Sequence, residues 1–246
     1  MAIQSKVNPF SREYHKQELH SLQLAPRTFK NIELKIETVA GRVDGFMYKD
    51  FLTGLENVPV LFIDKKLWMS LTPMEIESHY MPIQLATGHV GVGGLGLGYY
   101  TQRILQKEEV ECVTVYELDQ NVIDFYLDNF GKHEKLTIVK QDVRTLTDET
   151  FDFFYNDIYP TQMDEKAIED MALLTTNNHI DHYHFWTFEE FLLEMVNAGY
   201  GDDLPYMWMR TYFPFIAQLL ETKGNMLRLT GFGDDYYEQF VNHGLI

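Results

Sequence analysis

Between Val90 and Gly98 the chain reads VGVGGLGLG. Glycines at this density let backbone N–H groups approach a ligand, and a helix beginning just after them favours anionic or strongly polar groups. The string admits two registers: Gly91, Gly93 and Gly96 fit GxGxxG, while Gly94, Gly96 and Gly98 fit GxGxG. Glu117 follows about 20 residues further on, where a carboxylate at a strand end accepts the hydroxyl protons of an adenosine ribose. It serves both registers equally. Two later groups separate them: the acid of Gln141-Asp142, suited to an adenine exocyclic amine, and the acid and aromatic of NDIYP, Asn156 to Pro160. Three acids after three consecutive strands favour a nucleoside whose far end carries a transferable group.

These residues need a scaffold, and the texture from Gly88 onward supplies one. Apolar strand, turn and amphipathic helix alternate: HVGVGG, a helix over Tyr99 to Gln106, VECVTVYEL, a helix over Gln120 to Phe130, KLTIVKQD and FDFFYND. This predicts an α/β fold, a doubly wound Rossmann-like and mostly parallel sheet. Upstream, IELKIETV alternates polar and apolar residues, and Gly41, Gly45, Gly54 and Pro59 punctuate RVDGFMY and VPVLFID like turns between short strands. Residues 1–71 are therefore expected to form an N-terminal extension with a small antiparallel β unit, and 72–246 the Rossmann-like domain with a C-terminal elaboration. Thr72, Pro73 and Glu75 open a helix over MEIESHYMPIQLA that Pro82 kinks or ends. Past Pro160 the pattern predicts a helix over Glu165 to Leu174, a strand HIDHYHFW, a helix from Thr187, and further helix and strand to the end.

GxGxG, YELDQNVIDF, QDV and FDFFYND together resemble a class I S-adenosylmethionine (SAM)-dependent methyltransferase, closest in texture to the spermidine synthase branch, over about Val58 to Pro160. The resemblance implies that Gly94, Gly96 and Gly98 wrap the cofactor, Glu117 holds the ribose, Asp142 reads the adenine and Asp157 faces the transferred group. The departures decide between reactions. The aspartate of the synthases' glycine turn falls on Leu97, the second acid of their catalytic loop on Pro160, and their polyamine-binding glutamine and tyrosine near Met69 and Ser78. Methyl transfer to a small-molecule or protein acceptor is accordingly expected, with aminopropyl transfer as the alternative. Methyltransferases often carry an acid two residues before the first turn glycine; here that residue is Val92, and His79, Gln84 or backbone carbonyls are the candidates for the cofactor's amino-acid end.

Methyl transfer from a sulfonium is an in-line displacement governed by positioning and by a group that holds or removes the acceptor's proton. Asp157 and Tyr159 are the groups available in NDIYP, which distantly resembles the [DN]PPY loop of amino methyltransferases. A ring such as Tyr159 or Tyr100 beside the cationic methyl would add about a kcal/mol. In a strand, His182 and His184 share one face and His179 and Asp181 the other, so no face of HIDHYHFW gathers three metal ligands, and no metal is expected. The aromatic stretch Met207 to Phe213 is expected to be core, acceptor cap or an oligomer face.

Composition narrows the class further. Lys and Arg total 20 against 37 Asp and Glu, a formal net charge of −17, which disfavours extended nucleic-acid contact and suits a neutral or cationic substrate. Cys112 is the single cysteine, excluding an internal disulfide, and is expected to be a buried small apolar residue with no nucleophilic role. No apolar run approaches the roughly 20 residues of a membrane-spanning helix. A cytoplasmic, membrane-free protein is expected. A NAD-dependent oxidoreductase ranks below both transferases because it leaves Asp142 and NDIYP without a purpose. A non-catalytic protein retaining the fold is the alternative from outside enzymes.

Overall fold

The computed structural model describes residues 11–46, 51–162, 164 and 166–188. It opens with helix α1, Arg12–Leu22, capped by Ser11, whose hydroxyl accepts the Tyr14 N–H at 3.1 Å. Its inner face is His15, Glu18, Leu19 and Leu22, half of it polar, so no apolar period announces it in the sequence. Strands β1 (Arg27–Phe29), β2 (Ile32–Asp44), β3 (Phe51–Ile63) and β4 (Lys66–Ser70) then form an antiparallel sheet in that order. The small β unit is present, but with a correction. Gly41 and Gly54 lie inside β2 and β3, where the register shifts twice after Glu37, and Gly54 takes a φ of +61°. The glycines serve irregularities within one long hairpin, not turns between short strands.

Helix α2 (Pro73–Ser78) and helix α3 (Tyr80–Leu85) follow. Thr72 holds the expected N-cap conformation and Pro73 the first turn, though the Thr72 side chain makes no capping bond. The break falls at His79, not at Pro82. A proline ring collides with the carbonyl four residues earlier and offers it no N–H, and four residues before Pro82 stands Ser78, the last residue of α2. Pro82 itself then sits harmlessly in the first turn of α3.

The second sheet comprises β5 (Gly88–Gly93), β6 (Val110–Glu117), β7 (Leu136–Lys140), β8 (Thr150–Asn156) and β9 (His179–Phe185), all parallel, in the spatial order β7-β6-β5-β8-β9. Helices α4 (Tyr99–Leu105), α5 (Gln120–Phe130) and α6 (Lys166–Asn177) and a 3₁₀ turn at Val143–Thr145 make the crossovers. The doubly wound α/β reading thus holds, with element bounds within about three residues of expectation. The helix expected from Thr187 lies almost wholly outside the described residues, and the elements expected after it lie wholly outside them. Because β5 has β6 on one side and β8 on the other, the sheet reverses direction there, and ligands of such sheets bind beyond the carboxyl ends at that point.

One hydrophobic cluster joins Ile32, Leu34, Leu61 and Leu71 of the first sheet region to Val90, Val92, Val113 and Val115 of the second. Full burial of such side chains is worth about 1.5–3 kcal/mol each, so the two sheets are held by a shared core. Cys112 is exposed, contrary to expectation, because it lies near the amino end of β6, where Glu111 beside it is exposed too. Partial desolvation and the nearby carboxylates of Glu111 and Asp152 raise its pKa, which disfavours the thiolate.

Candidate functional site

The carboxyl end of β5 turns through Gly94, Gly96 and Gly98 at φ of +89°, +49° and +78°, values that side chains with a Cβ rarely adopt. The turn is wedged on every side. A Cβ at Gly94 would overlap the Asp157 carbonyl, one at Gly96 would come within 2.8 Å of Met69 Sδ, and one at Gly98 within 2.6 Å of the Tyr126 ring. Gly94, Gly96 and Gly98 are therefore the conformationally demanding glycines, whereas Gly91 and Gly93 lie inside β5.

Glu117, the last residue of β6, fastens this turn. Its Oε2 accepts the Leu95 N–H at 3.0 Å and its Oε1 the Asp119 N–H at 2.8 Å. Burial pushes its pKa up, while the bonds from Asp119 and Leu95 pull it back in part. Leu118 beside it is a large apolar side chain left exposed. Asp142, after β7, caps the 3₁₀ turn by accepting the Arg144 N–H at 3.0 Å. Asp157, after β8, donates its N–H to Gly93 O at 2.8 Å, which seats it directly against the turn.

The structure also brings to Asp157 two residues that motif spacing does not reveal. His79 Nε2 lies 3.1 Å from Asp157 Oδ2, and its Nδ1 donates to the Glu75 carbonyl at 2.7 Å. The Glu75 carboxylate stands 3.7 Å from the same Nδ1. Tyr99, Tyr100 and Tyr155 wall the imidazole at ring-centroid distances of 5.5 to 6.0 Å. Burial alone would lower the His79 pKa, but the bond to Asp157 and the Glu75 charge prevail and raise it to about 9. Burial raises Glu75 to about 7 against the opposing pull of His79. The ligand atoms of these three residues lie within 4.8 Å of one another, the group of metal-capable side chains found among the described residues. Within the group, His79 Nε2 faces Asp157 and Nδ1 faces Glu75.

Tyr159 stands apart from this group. Its buried hydroxyl donates to Asp170 Oδ2 at 3.2 Å and accepts from Asn156 Nδ2 at 2.7 Å, while Arg144 clasps Asp170 through two 2.8 Å bonds. Burial drives its pKa far above the ordinary value, so the phenol stays protonated and anchors the loop from behind. Gln84 is also remote: Lys107 binds its carbonyl at 2.7 Å, and Lys107 O in turn binds Lys135, which holds Val110 at the amino end of β6. Val92 and Leu97, where an acid would be sought, are core. His179 and Asp181 pair at the exposed edge, and His184 is buried against Tyr155 and Phe188. Trp186 joins the core and donates to Ser78 Oγ at 3.0 Å.

No family model matches the sequence, and no curated protein does. Solved structures do. The chain is similar to the N-methyltransferase NodS from Bradyrhizobium japonicum WM9 at 17% identity, over 46% of this chain and 68% of that one, with a TM-score of 0.38. It is similar to a DhpI-SAM-HEP complex at 15% identity, over 44% and 51% of the two chains, with a TM-score of 0.36. A spermidine synthase in complex with the transition state analogue AdoDATO aligns at 18% identity over 64% and 62%, with a TM-score of 0.36. The chain thus spans about half to two thirds of the length of these structures.

Proposed function

We propose that the chain is a SAM-dependent methyltransferase acting on a small-molecule or protein acceptor. The observation that carries this reading is the order of the acids along the sheet edge. Strand order sets Asp142, Glu117, the glycine turn and Asp157 in line. At about 4.8 Å per strand, Glu117 and Asp157 stand roughly 10 Å apart with the turn between them, and Asp142 lies one strand beyond Glu117. Adenine amine, ribose hydroxyls and sulfonium follow one another in SAM in that same sequence and over that same length.

The residues present fit such a group. Glu117 accepts one backbone N–H at each oxygen and keeps lone pairs for ribose hydroxyls. Leu118 offers apolar surface to the base, and Asp142 an acceptor to its amine. Above Gly96 sits a thioether of the chain itself: Met69 Sδ, which accepts the Leu97 N–H at 3.3 Å. A sulfur already rests where the cofactor's methionyl part would approach the turn. When bound, SAM supplies an electrophilic methyl. Asp157 holds the acceptor's polar group beside it, Tyr159 anchors the Asp157 loop, and Met69, from the residues up to 71, occupies the space over the turn that the cofactor would take. Division of labour at Leu71 and Thr72 is part of this proposal.

Calorimetric titration of the full chain with SAM, S-adenosylhomocysteine, decarboxylated SAM and NAD tests it. Binding of the first two, with linked thermal stabilisation, is the expected result. Preference for decarboxylated SAM would replace methyl by aminopropyl transfer, and absence of binding by all four would overturn the enzyme reading.

A further inference from the structure

Asp157 lies at the centre of the site, yet one of its oxygens is committed to a histidine from a different part of the chain. His79 owes its place to the break that Pro82 imposes after Ser78, which leaves it between two helices. Its Nδ1 faces the Glu75 carbonyl at 2.7 Å, and a carbonyl only accepts, so Nδ1 carries a proton. Whatever lies at Nε2 then decides the contact with Asp157 Oδ2 at 3.1 Å. With a second proton the contact is a charge-assisted hydrogen bond. Without it, a ring lone pair faces a carboxylate and the contact is repulsive.

We infer that His79, as an imidazolium flanked by Glu75, is the positioning residue that aims the Asp157 carboxylate at the reaction site, and that loss of its proton releases Asp157. This deepens the methyltransferase reading and rests on it for the role of Asp157. The geometry has three supports. His79 is sealed from solvent, so its charge is set by the protein. Among the described residues, the titratable groups facing it are Glu75 from α2, Asp157 from the loop after β8, Tyr99 and Tyr100 from α4, and Tyr155 from β8. The Tyr99 and Tyr100 phenols are pushed further up by burial, so the two carboxylates are the acidic groups the ring answers to. A cation between two carboxylates, one of them buried, also offsets their mutual repulsion. The raised His79 value, about 9, agrees with this geometry.

The test is the histidine titration itself, followed by NMR on the full chain labelled with ¹³C-histidine. The expected result is one histidine titrating near pH 9, whose value falls by at least about one unit in Asp157→Asn and falls again in Glu75→Gln. A His79 that titrates near the ordinary value of about 6.5, or that ignores Asp157→Asn, overturns the inference. So does broadening of the His79 signals by micromolar Mn²⁺, which would make the cluster a cation site. Calorimetry with SAM supplies the positioning readout: affinity weakens through the same pH in the native chain, and His79→Gln, which keeps a neutral donor near the Nε2 position, flattens that step. A step that survives His79→Gln overturns the inference. If SAM does not bind at all, the methyltransferase reading fails, while the NMR titration still decides whether Asp157 and His79 are coupled.

Discussion

Substituting alanine at Gly94 separates two costs that a glycine turn can impose. Gly94 has a φ of +89°, and a Cβ there would overlap the backbone carbonyl of Asp157, which cannot rotate away as a side-chain tip can. Gly54, at φ +61°, has nothing within 4 Å of the corresponding Cβ position, and Gly41 has neither constraint. Left-handed backbone with a Cβ costs about 1–2 kcal/mol, and overpacking against a fixed neighbour about 1–3 kcal/mol. Gly54→Ala should therefore lose about 1–2 kcal/mol and Gly94→Ala about 2–5 kcal/mol. Gly41→Ala should be neutral or gain up to about 1 kcal/mol from the less flexible unfolded chain. Urea denaturation of the three variants measures these differences directly, and calorimetry with SAM adds the functional half. Because the overlap displaces Asp157 and the turn together, Gly94→Ala alone should abolish cofactor binding. Equal losses at Gly94 and Gly54, or undiminished SAM affinity in a folded Gly94→Ala protein, would refute the claim that Asp157 is wedged against the turn.

Glu117→Gln leaves one of two backbone N–H groups facing an amide NH₂. A loss of about 1–3 kcal/mol in thermal unfolding is expected together with weaker SAM binding, so the residue supports both the turn and the ligand. Met69→Ala releases the Leu97 N–H and the space above Gly96, and calorimetry should show SAM binding strengthened by about fivefold, roughly 1 kcal/mol; weaker binding would make Met69 a wall and not an occupant. The buried pair sets a pH dependence of stability with one sign. His79 is raised to about 9, so its contribution is complete below its ordinary value of 6.5 and is lost as pH rises through 9. Glu75, raised to about 7, contributes below 4.5 and loses that contribution as pH rises through 7. Urea midpoints should therefore decline from pH 5 to pH 9, with His79→Gln flattening the upper half; a rise across that range would contradict the assigned protonation.

What was legible in the sequence was whatever local chemistry fixes. Val90 to Gly98 announced a turn because glycine density is a backbone property, and all three glycines of the GxGxG register take positive φ. The strands of the parallel sheet were legible because each is a short apolar run bounded by a turn, and β6, β7 and β8 each end where Glu117, Asp142 and Asp157 were expected to emerge. Three things were not legible. Helix α1 hides a polar inner face, in which Glu18 pairs with Arg103 at 2.7 Å and accepts from the Tyr99 hydroxyl at 2.9 Å, so its partners lie some eighty residues away. Tyr159 was one of the two groups NDIYP offers for holding the acceptor, yet its hydroxyl is consumed by Asn156 and Asp170. His79 was weighed for the cofactor's amino-acid end, but its real partner is 78 residues distant, and no spacing rule spans that gap.

The missed residues share a physical origin. A parallel sheet delivers its strand ends to one edge by topology alone, so residues at those ends can be read from the pattern of strands. Everything that approaches that edge from outside the sheet depends on tertiary packing. Met69 arrives from the last strand of the antiparallel unit, and Glu75 and His79 from the helices that join the two sheets. One sequence signal did exist for them. Pro82 within an otherwise helical stretch meant a break, and a break one turn upstream of a proline sets the residue that occupies it between two helices. In this chain that residue is a histidine, and the shared core of Leu71, Val90 and Val92 holds the break against the glycine turn. The chemistry of Asp157 is thus set by a joint between the two sheets, and alterations that loosen the joint should reach the site even where they touch none of its strand-end acids.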